Sequence, residues 1–321
     1  MPDLIALGEP MAEFAAAERG RLSRVTTFRR GWGGDTSNVA VAAARLGTSV
    51  GYVTRLGEDE FGHSFLALWD QEGVDRSHVV IDPDGFTGVY FIALDEAGRH
   101  DFTYYRTGSA ASRLQPADID PAYVQTARVF HTSGITQAIS EGARAAADAA
   151  IAAARAKGVA VSYDLNLRPK LCPLPQLRSI VEATLPLADI VFLSAEDAGY
   201  LDDSRPAEIV AEQVLARGPR LVVLKLGAEG CLIAEAEGTS VRLPAWPARV
   251  VDTTGAGDAF DAAFLGEWIR GASPARAGRF ANAVGALAAR GLGAVAPLPV
   301  RAWVEAFIAD VHKSTAERGS A

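Results

Sequence analysis

Short apolar runs rich in Val and Ile alternate along the chain with Ala- and Leu-rich stretches of helical spacing. Continuous apolar runs of strand length suit strands buried on both faces. They predict strands at Leu4–Leu7, Val50–Thr54, Val129–His131, Val159–Tyr163, Ile190–Leu193 and Leu221–Lys225. The helical spacing predicts helices at Ser37–Leu46, Ile139–Lys157, Ala207–Arg217, Ala256–Arg270 and Ala275–Ala289. Gly47, Gly158, Gly218 and Gly271 follow helices, where a left-handed cap suits glycine. Strands alternating with helices predict an α/β fold with a mostly parallel sheet covered on both faces.

Two stretches break the rhythm, Glu9–Trp32 and Thr87–Arg106. The second reads as a β-hairpin turning through Asp95–Arg99, with Gly98 in the left-handed position. That register sets Tyr90 opposite Tyr104, Ile92 opposite Phe102 and Gly88 opposite Arg106. Side chains alternate along a strand, so Tyr90, Tyr104 and Arg106 share one face. The face is either a ligand surface or aromatic packing against the core.

Composition narrows the class. The 321 residues are 49% hydrophobic and 22% charged, ordinary for a globular protein. The net charge of -8, with no Lys/Arg run, argues against a nucleic-acid partner. Local arginines could still serve an anionic substrate. Cys172 and Cys231 lack metal-site spacing and read as reduced thiols. Met1–Gly8 reads as a first strand rather than a signal peptide, and no apolar run is long enough to span a membrane. A cytoplasmic enzyme or binding protein is expected, with a polar, frayed tail after His312.

The strongest chemical signal is Asp252-Thr-Thr-Gly-Ala-Gly-Asp258. A strand-like Arg249–Val251 precedes it, and a helix with Phe260, Phe264 and Trp268 at i, i+4 spacing follows. Gly255, Ala256 and Gly257 therefore lie at a helix N-terminus, where unpaired amides and the macrodipole suit a phosphate. Asp258, in the first turn, is placed to accept a proton from a hydroxyl; alternatively it only complements the helix terminus. Gly33-Gly-Asp-Thr-Ser-Asn38 opens another helix, with Asp35 and Asn38 able to bind hydroxyls or with Asp35 or Thr36 as an N-cap. Leu56–Gly62 is a turn between strand and helix. There is no G-x-x-x-x-G-K-[ST] and no G-x-G-x-x-G after the first strand, which disfavours a Walker-type site and a Rossmann dehydrogenase.

Gly33-Gly34 with Asn38, the Gly57–Gly62 turn and Asp252–Phe260 resemble the signatures of the ribokinase-like (phosphofructokinase B-type) carbohydrate kinases. The resemblance implies a three-layer αβα core with a mostly parallel sheet and a small β-sheet lid. The lid would be inserted at about residues 9–32 and 87–106 of a single domain spanning 1–315, with 316–321 frayed. It implies ATP and Mg2+, Asp258 as catalytic base, and Gly255, Ala256 and Gly257 as an anion hole. Gly34, Asp35 and Asn38 would bind the sugar. Asn166, Ser194, Lys225, Gly227, Gly230, Gly255, Gly257 and Asn282 would lie along ATP. A monovalent cation such as K+ would sit near Asp252, Thr254, Gly291 and Gly293. One departure is Ser194-Ala-Glu-Asp197 where the family often has Asn-x-x-Glu.

Within the family, Gly33–Thr36, Phe102–Arg106 and Asp164–Lys170 are most similar to 2-keto-3-deoxygluconate kinases. Arg106 and Arg168 would meet the carboxylate of such a sugar acid, with Tyr90 and Tyr104 as hydroxyl donors. Arg168 has a structural or ATP-phosphate role as its alternative. A fructokinase, a phosphosugar kinase and a non-catalytic sugar or nucleotide sensor are the rivals. The lid's sheet edges suggest a homo-oligomer paired through lids, a dimer or higher.

Overall fold

The computed structural model describes residues 1–94, 100–202 and 205–319. Among these, the core strands are β1 (Leu4–Leu7), β4 (Val50–Gly57), β5 (Val79–Asp82), β8 (Val129–Ser133), β9 (Ala160–Asp164), β10 (Ile190–Ser194), β11 (Leu221–Lys225), β12 (Cys231–Glu235) and β13 (Ser240–Leu243). The lid strands are β2 (Met11–Arg19), β3 (Phe28–Gly33), β6 (Gly88–Leu94) and β7 (His100–Tyr105). The helices up to the middle of the chain are α1 (Asp35–Arg45), α2 (Glu60–Glu72), α3 (Pro121–Val124), α4 (Gly134–Ala138) and α5 (Glu141–Ala156). The remaining helices are α6 (Leu174–Thr184), α7 (Ala195–Asp202), α8 (Ala207–Leu215), α9 (Ala256–Ile269), α10 (Pro274–Ala288) and α11 (Arg301–Gly319).

The large sheet runs β13-β12-β11-β10-β9-β8-β1-β4-β5. Its strands pair in parallel from β5 to β11, and β12 and β13 close one edge antiparallel. Strand β1 shows why both faces are buried. Leu4 and Ala6 enter one core, Ile5 and Leu7 the other, and all four have 0% exposure. The first core is completed by α1, α2, α9 and α10, the second by α5, α6 and α8. Helix α5 presents Ala143, Ala146, Ala147, Ala150 and Ala154 to the sheet, so its alanine content is a packed face.

The second sheet runs β3-β2-β6-β7. Its inner pair, β2 and β6, is parallel, so the chain must pass through the core between them. The hairpin register is the expected one: Tyr90 pairs with Tyr104 and Ile92 with Phe102. The expected turn at Asp95–Arg99 lies outside the described residues. Met11, Tyr90 and Ile92 form the lid's own small core.

Several boundaries differ from expectation for local reasons. Helix α1 starts at Asp35, because Gly34 at φ +101° turns the chain directly into it. The helix expected over Ile139–Lys157 begins two residues late, at Glu141, because Ser140, in extended conformation, caps α5 by accepting from the Ala143 amide at 3.0 Å. The short helix α4 ends just before it, at Ala138. Arg249–Val251 forms no strand, and Val250 and Val251 are exposed. Helix α11 continues to Gly319, where a frayed tail was expected. Among the described residues no helix is long and apolar enough to cross a membrane.

Gly34 joins lid to core and has no room for a side chain: a Cβ would overlap the Glu9 carbonyl oxygen, and φ is +101°. Gly34→Ala should therefore cost about 3 kcal/mol or more, combining backbone strain with a steric clash. Urea denaturation measures this, and an unchanged midpoint would refute the role given to Gly34.

Candidate active site

Parallel strands deliver their loops to one edge of the sheet. Here Gly8 and Glu9 follow β1, Leu165–Arg168 follow β9, and Leu226–Gly230 follow β11. The N-terminal ends of α1 and α9 meet over this edge. Their meeting is fixed by one bond: Asn38 Nδ2 donates to Asp258 Oδ2 at 2.7 Å.

Asp258 lies in the first turn of α9 and keeps an opening to the cleft. Desolvation raises its pKa to about 7, the nearby Asp35 charge adds to the rise, and the Asn38 bond opposes it. A carboxylate so raised could serve as a base near neutral pH.

The glycine turn before α9 is sterically required. Gly255 is the N-cap at φ +73°, and a Cβ there would come within 2.8 Å of Ala294 O. The Ala256 amide donates to Thr253 O at 3.1 Å, so it closes the turn. The Gly257 amide falls in the first turn, where the helix itself offers no carbonyl. A Cβ on Gly257 would lie 3.6 Å from Lys225 Nζ, so the ammonium sits directly behind this turn.

Asp35 does not cap α1, and neither does Thr36. The N-cap is Gly34 without a side-chain bond, and the Thr36 hydroxyl meets Tyr52 Oη at 3.0 Å. Asp35 Oδ2 instead accepts from Ser133 Oγ and from Asn166 Nδ2 at 3.2 Å. Its Oδ1 is buried without a hydrogen-bond partner, as is Asn38 Oδ1. Asn166 has φ +40°, the sole positive φ among the described non-glycine residues. Strain of this kind is common at binding sites.

On the lid, Tyr90 stacks on Tyr104 with centroids 5.9 Å apart, and the Arg106 guanidinium lies 5.7 Å from the Tyr104 ring centre. The shared face expected from alternation is present. Two of its polar ends are already engaged, however. Tyr90 Oη donates to Glu13 Oε2 at 2.5 Å, so toward a ligand it accepts rather than donates. Arg106 forms an ion pair with Glu9, a carboxylate only 1% exposed that also accepts from Ser109 Oγ at 2.8 Å. Arg168 is exposed, and its recorded bond is Nη1 to Leu167 O at 2.9 Å.

The expected nucleotide side is more tightly bonded than the motifs imply. Lys225 Nζ bridges Asp164 Oδ2 at 3.1 Å and Asp261 Oδ2 at 2.9 Å. Burial opposes its charge, but the two carboxylates outweigh burial and raise its pKa. Asp164 Oδ1 is buried without a partner. Ser194 donates to Asp197, whose other oxygen accepts from the Leu167 amide at 2.7 Å. The shortened acid at 197 thus holds the Leu165–Arg168 loop. Gly227 and Gly230 bound a tight turn at φ +57° and +96°. Asn282 Nδ2 donates to Pro244 O at 3.1 Å and Leu243 O at 3.3 Å. Asp252 Oδ1 accepts from the Thr254 amide and hydroxyl, and Oδ2 from the Gly293 amide. Among the described residues no three His, Cys, Asp or Glu side chains converge as a metal site.

The motifs did not point to Glu9, Glu13 or Asp261. Glu9 directly follows the first strand, and Asp261 lies one helical turn beyond Asp258, which are the signals each offered. Glu13 gave none, because its partners Tyr90 and Ala294 are distant in sequence.

Residues 1–301 match the model of the pfkB family carbohydrate kinases. A 2-dehydro-3-deoxygluconokinase from Thermoproteus tenax is 34% identical over 89% of this chain and 88% of its own. Fructokinase-1 from Oryza sativa subsp. japonica is 33% identical over 92% of this chain and 94% of its own. A solved E. coli structure described as a ribokinase II in complex with ATP and Mg2+ superposes with a TM-score of 0.89. It is 26% identical, covering 97% of this chain and all of that one.

The Asp258 environment generates a pH prediction. The base acts deprotonated, so kcat/KM for sugar phosphorylation should fall on the acid side with an apparent pKa near 7, the value to which Asp258 is raised. Asp35→Asn removes a neighbouring like charge and should move that acid limb to lower pH. A pH-rate profile that stays flat from 5 to 8, or a limb that moves upward in Asp35→Asn, would remove Asp258 from the role of base.

Proposed function

The chain belongs to the pfkB family of carbohydrate kinases, and we propose that it phosphorylates a sugar acid of the 2-keto-3-deoxygluconate type at its terminal hydroxyl. The product would be 2-keto-3-deoxy-6-phosphogluconate. The observation that carries this reading is Arg168, an exposed guanidinium in the loop after β9 with no carboxylate bonded to it among the described residues. Arg168 is close enough to Tyr104 to act on its hydroxyl electrostatically, so a ligand on the lid's aromatic face would meet both. The likeness to the Thermoproteus tenax enzyme supports the same choice.

In this mechanism Asn38 fixes one oxygen of Asp258 and the substrate hydroxyl approaches the other. Asp258 takes the proton as the hydroxyl oxygen attacks the γ-phosphorus of ATP. The bond from that phosphorus to the bridging oxygen breaks, leaving ADP. Gly257 and the α9 N-terminus face the charge that develops on the phosphoryl oxygens. Lys225 sits behind the same turn, held there by Asp164 and Asp261. Mg2+ bound with ATP would neutralise phosphate charge, and the partnerless Asp164 Oδ1 suits a water on that ion. A monovalent cation such as K+ is proposed beside the Asp252–Gly293 turn. The buried free thiols Cys172 and Cys231 fit a reducing, cytoplasmic setting. The lid's other face carries Phe14, Phe91, Phe28 and Tyr105 in mutual contact, which supports pairing of lids in a homo-oligomer.

A neutral ketose is the second reading. It is favoured by the Glu9–Arg106 pair, which cancels one of the two positive charges on the sugar side. The likeness to rice fructokinase-1 supports it too. An ATP-consumption screen over 2-keto-3-deoxygluconate, its galactonate epimer, fructose, ribose and fructose phosphates separates the two.

Removing Arg168 tests the carboxylate contact. A charge-assisted hydrogen bond is worth about 1.5–3 kcal/mol, which corresponds to roughly 10- to 100-fold in binding. Arg168→Ala should raise KM for the sugar acid by that factor, change KM for ATP little, and leave any turnover of fructose unaltered. Arg106→Ala should act differently, because it leaves Glu9 buried without its counter-charge and destabilises the fold as well. Equal effects of Arg168→Ala on sugar acid and ATP would instead assign Arg168 to the phosphates.

Asp258→Asn should lower kcat by at least about 100-fold, the scale of a lost general base, while leaving sugar affinity nearly unchanged. Steady-state kinetics and calorimetric titration of the sugar measure the two halves. Near-normal kcat would sink the assignment.

A further inference from the structure

Glu13 lies on lid strand β2, yet its carboxylate is 3% exposed and reaches the core. Three features converge on it. Tyr90 Oη, from the sugar-facing side of the lid, donates to Oε2 at 2.5 Å. The backbone amide of Ala294 donates to the same oxygen at 3.3 Å. Gly31 and Gly293 leave the space that Oε1 occupies, since a Cβ on either would come within 2.8 and 2.6 Å of it.

The loop that Glu13 grips is itself bonded to the anion-hole turn. The Gly293 amide donates to Asp252 Oδ2 at 2.8 Å, while Asp252 Oδ1 holds the Thr254 amide at 2.9 Å. Ala294 packs against Gly255, where a Cβ would meet Ala294 O at 2.8 Å. A continuous set of contacts therefore runs from Tyr90 through Glu13 to Ala294, and on to Gly255 at the start of α9. Each step is a hydrogen bond or a close packing contact, a route by which displacement at one end could be passed to the other.

We propose that Glu13 is a positioning residue that couples sugar binding at the lid to the shape of the phosphate-binding turn. A sugar that draws Tyr90 inward would seat Glu13 on Ala294, which would set Gly255–Gly257 for the phosphoryl group. Without sugar the lid is free to lift, Glu13 withdraws, and the turn relaxes. The device discourages transfer of the phosphoryl group to water. The inference rests on the sugar lying against the lid's Tyr90 face, but not on which sugar it is.

The test is the affinity of a non-hydrolysable ATP analogue with and without saturating sugar, using whichever sugar the turnover screen identifies. In the wild-type protein, sugar should tighten analogue binding by at least about 5-fold, the lower end of ordinary coupling between sites. Glu13→Gln keeps the shape but weakens both bonds, and should bring the factor below about 2-fold, the remainder of such a small coupling. Its sugar-free analogue affinity should match the wild type, which shows an intact nucleotide site. It should also raise ATP hydrolysis without sugar relative to sugar phosphorylation. Should Glu13→Gln fail to fold, Tyr90→Phe removes one oxygen from the same chain of contacts and reads the same factor. Coupling at the wild-type level in the variant that folds, or no coupling in the wild type, would overturn the proposal. Failure of the sugar-acid assignment would show in the turnover screen instead and leave this measurement intact.

Discussion

The bond from Asn38 to Asp258 ties together the two helix N-termini on which the site depends. Helix α1 follows the first lid hairpin, and α9 follows the glycine turn late in the chain. Neither end alone makes the base or the sugar site proposed above. Brought together they desolvate Asp258, set Asp35 beside it and aim two helix dipoles toward one cleft. The parallel sheet supplies the edge over which they meet, because its strands deliver their following loops to one side.

Concentrating carboxylates at that edge has a cost, and the structure answers it residue by residue. Asp164 and Asp261 share Lys225; Glu9 has Arg106 and Ser109; Asp35 has Ser133 and Asn166; Asp197 has Ser194 and the Leu167 amide. Buried charges persist when paired or hydrogen-bonded, and removing one partner is far costlier than lacking the pair altogether. The oxygens left without partners, on Asp35, Asn38 and Asp164, all line the cleft neighbourhood of Asp258. An unsatisfied buried oxygen in an otherwise satisfied network is best explained by a ligand or water that completes it.

Much of this was legible in the chain. The strand and helix alternation gave the layers, the hairpin register paired Tyr90 with Tyr104, and Asp252–Asp258 located the glycine turn that opens α9. What escaped depended on contacts between distant residues. Nothing local distinguishes Glu13, on an alternating lid strand, from any solvent-facing acid until Tyr90 and Ala294 are placed around it. Nor could Arg106 be known as half of an ion pair before Glu9 was set opposite it. The antiparallel edge of β12 and β13 was missed because its alternation is brief, and the start of α5 was placed early because the cap at Ser140 was not read as one.

These distant contacts also explain why the fold settles the reaction before it settles the substrate. The phosphate turn is backbone: a left-handed glycine, a helix terminus and an aspartate in the first turn. Its geometry changes little with the surrounding side chains. Sugar choice rests instead on which polar groups remain free once the lid's internal bonds are made. Glu9 pairs with the charge of Arg106 and Glu13 accepts the hydrogen bond of the Tyr90 hydroxyl, while Arg168 keeps its outward charge. A lid with the same strands and the same tyrosines would therefore present a different surface if either glutamate were changed. On the proposed reading, specificity would be set as much by the acids behind the sugar-facing residues as by those residues themselves.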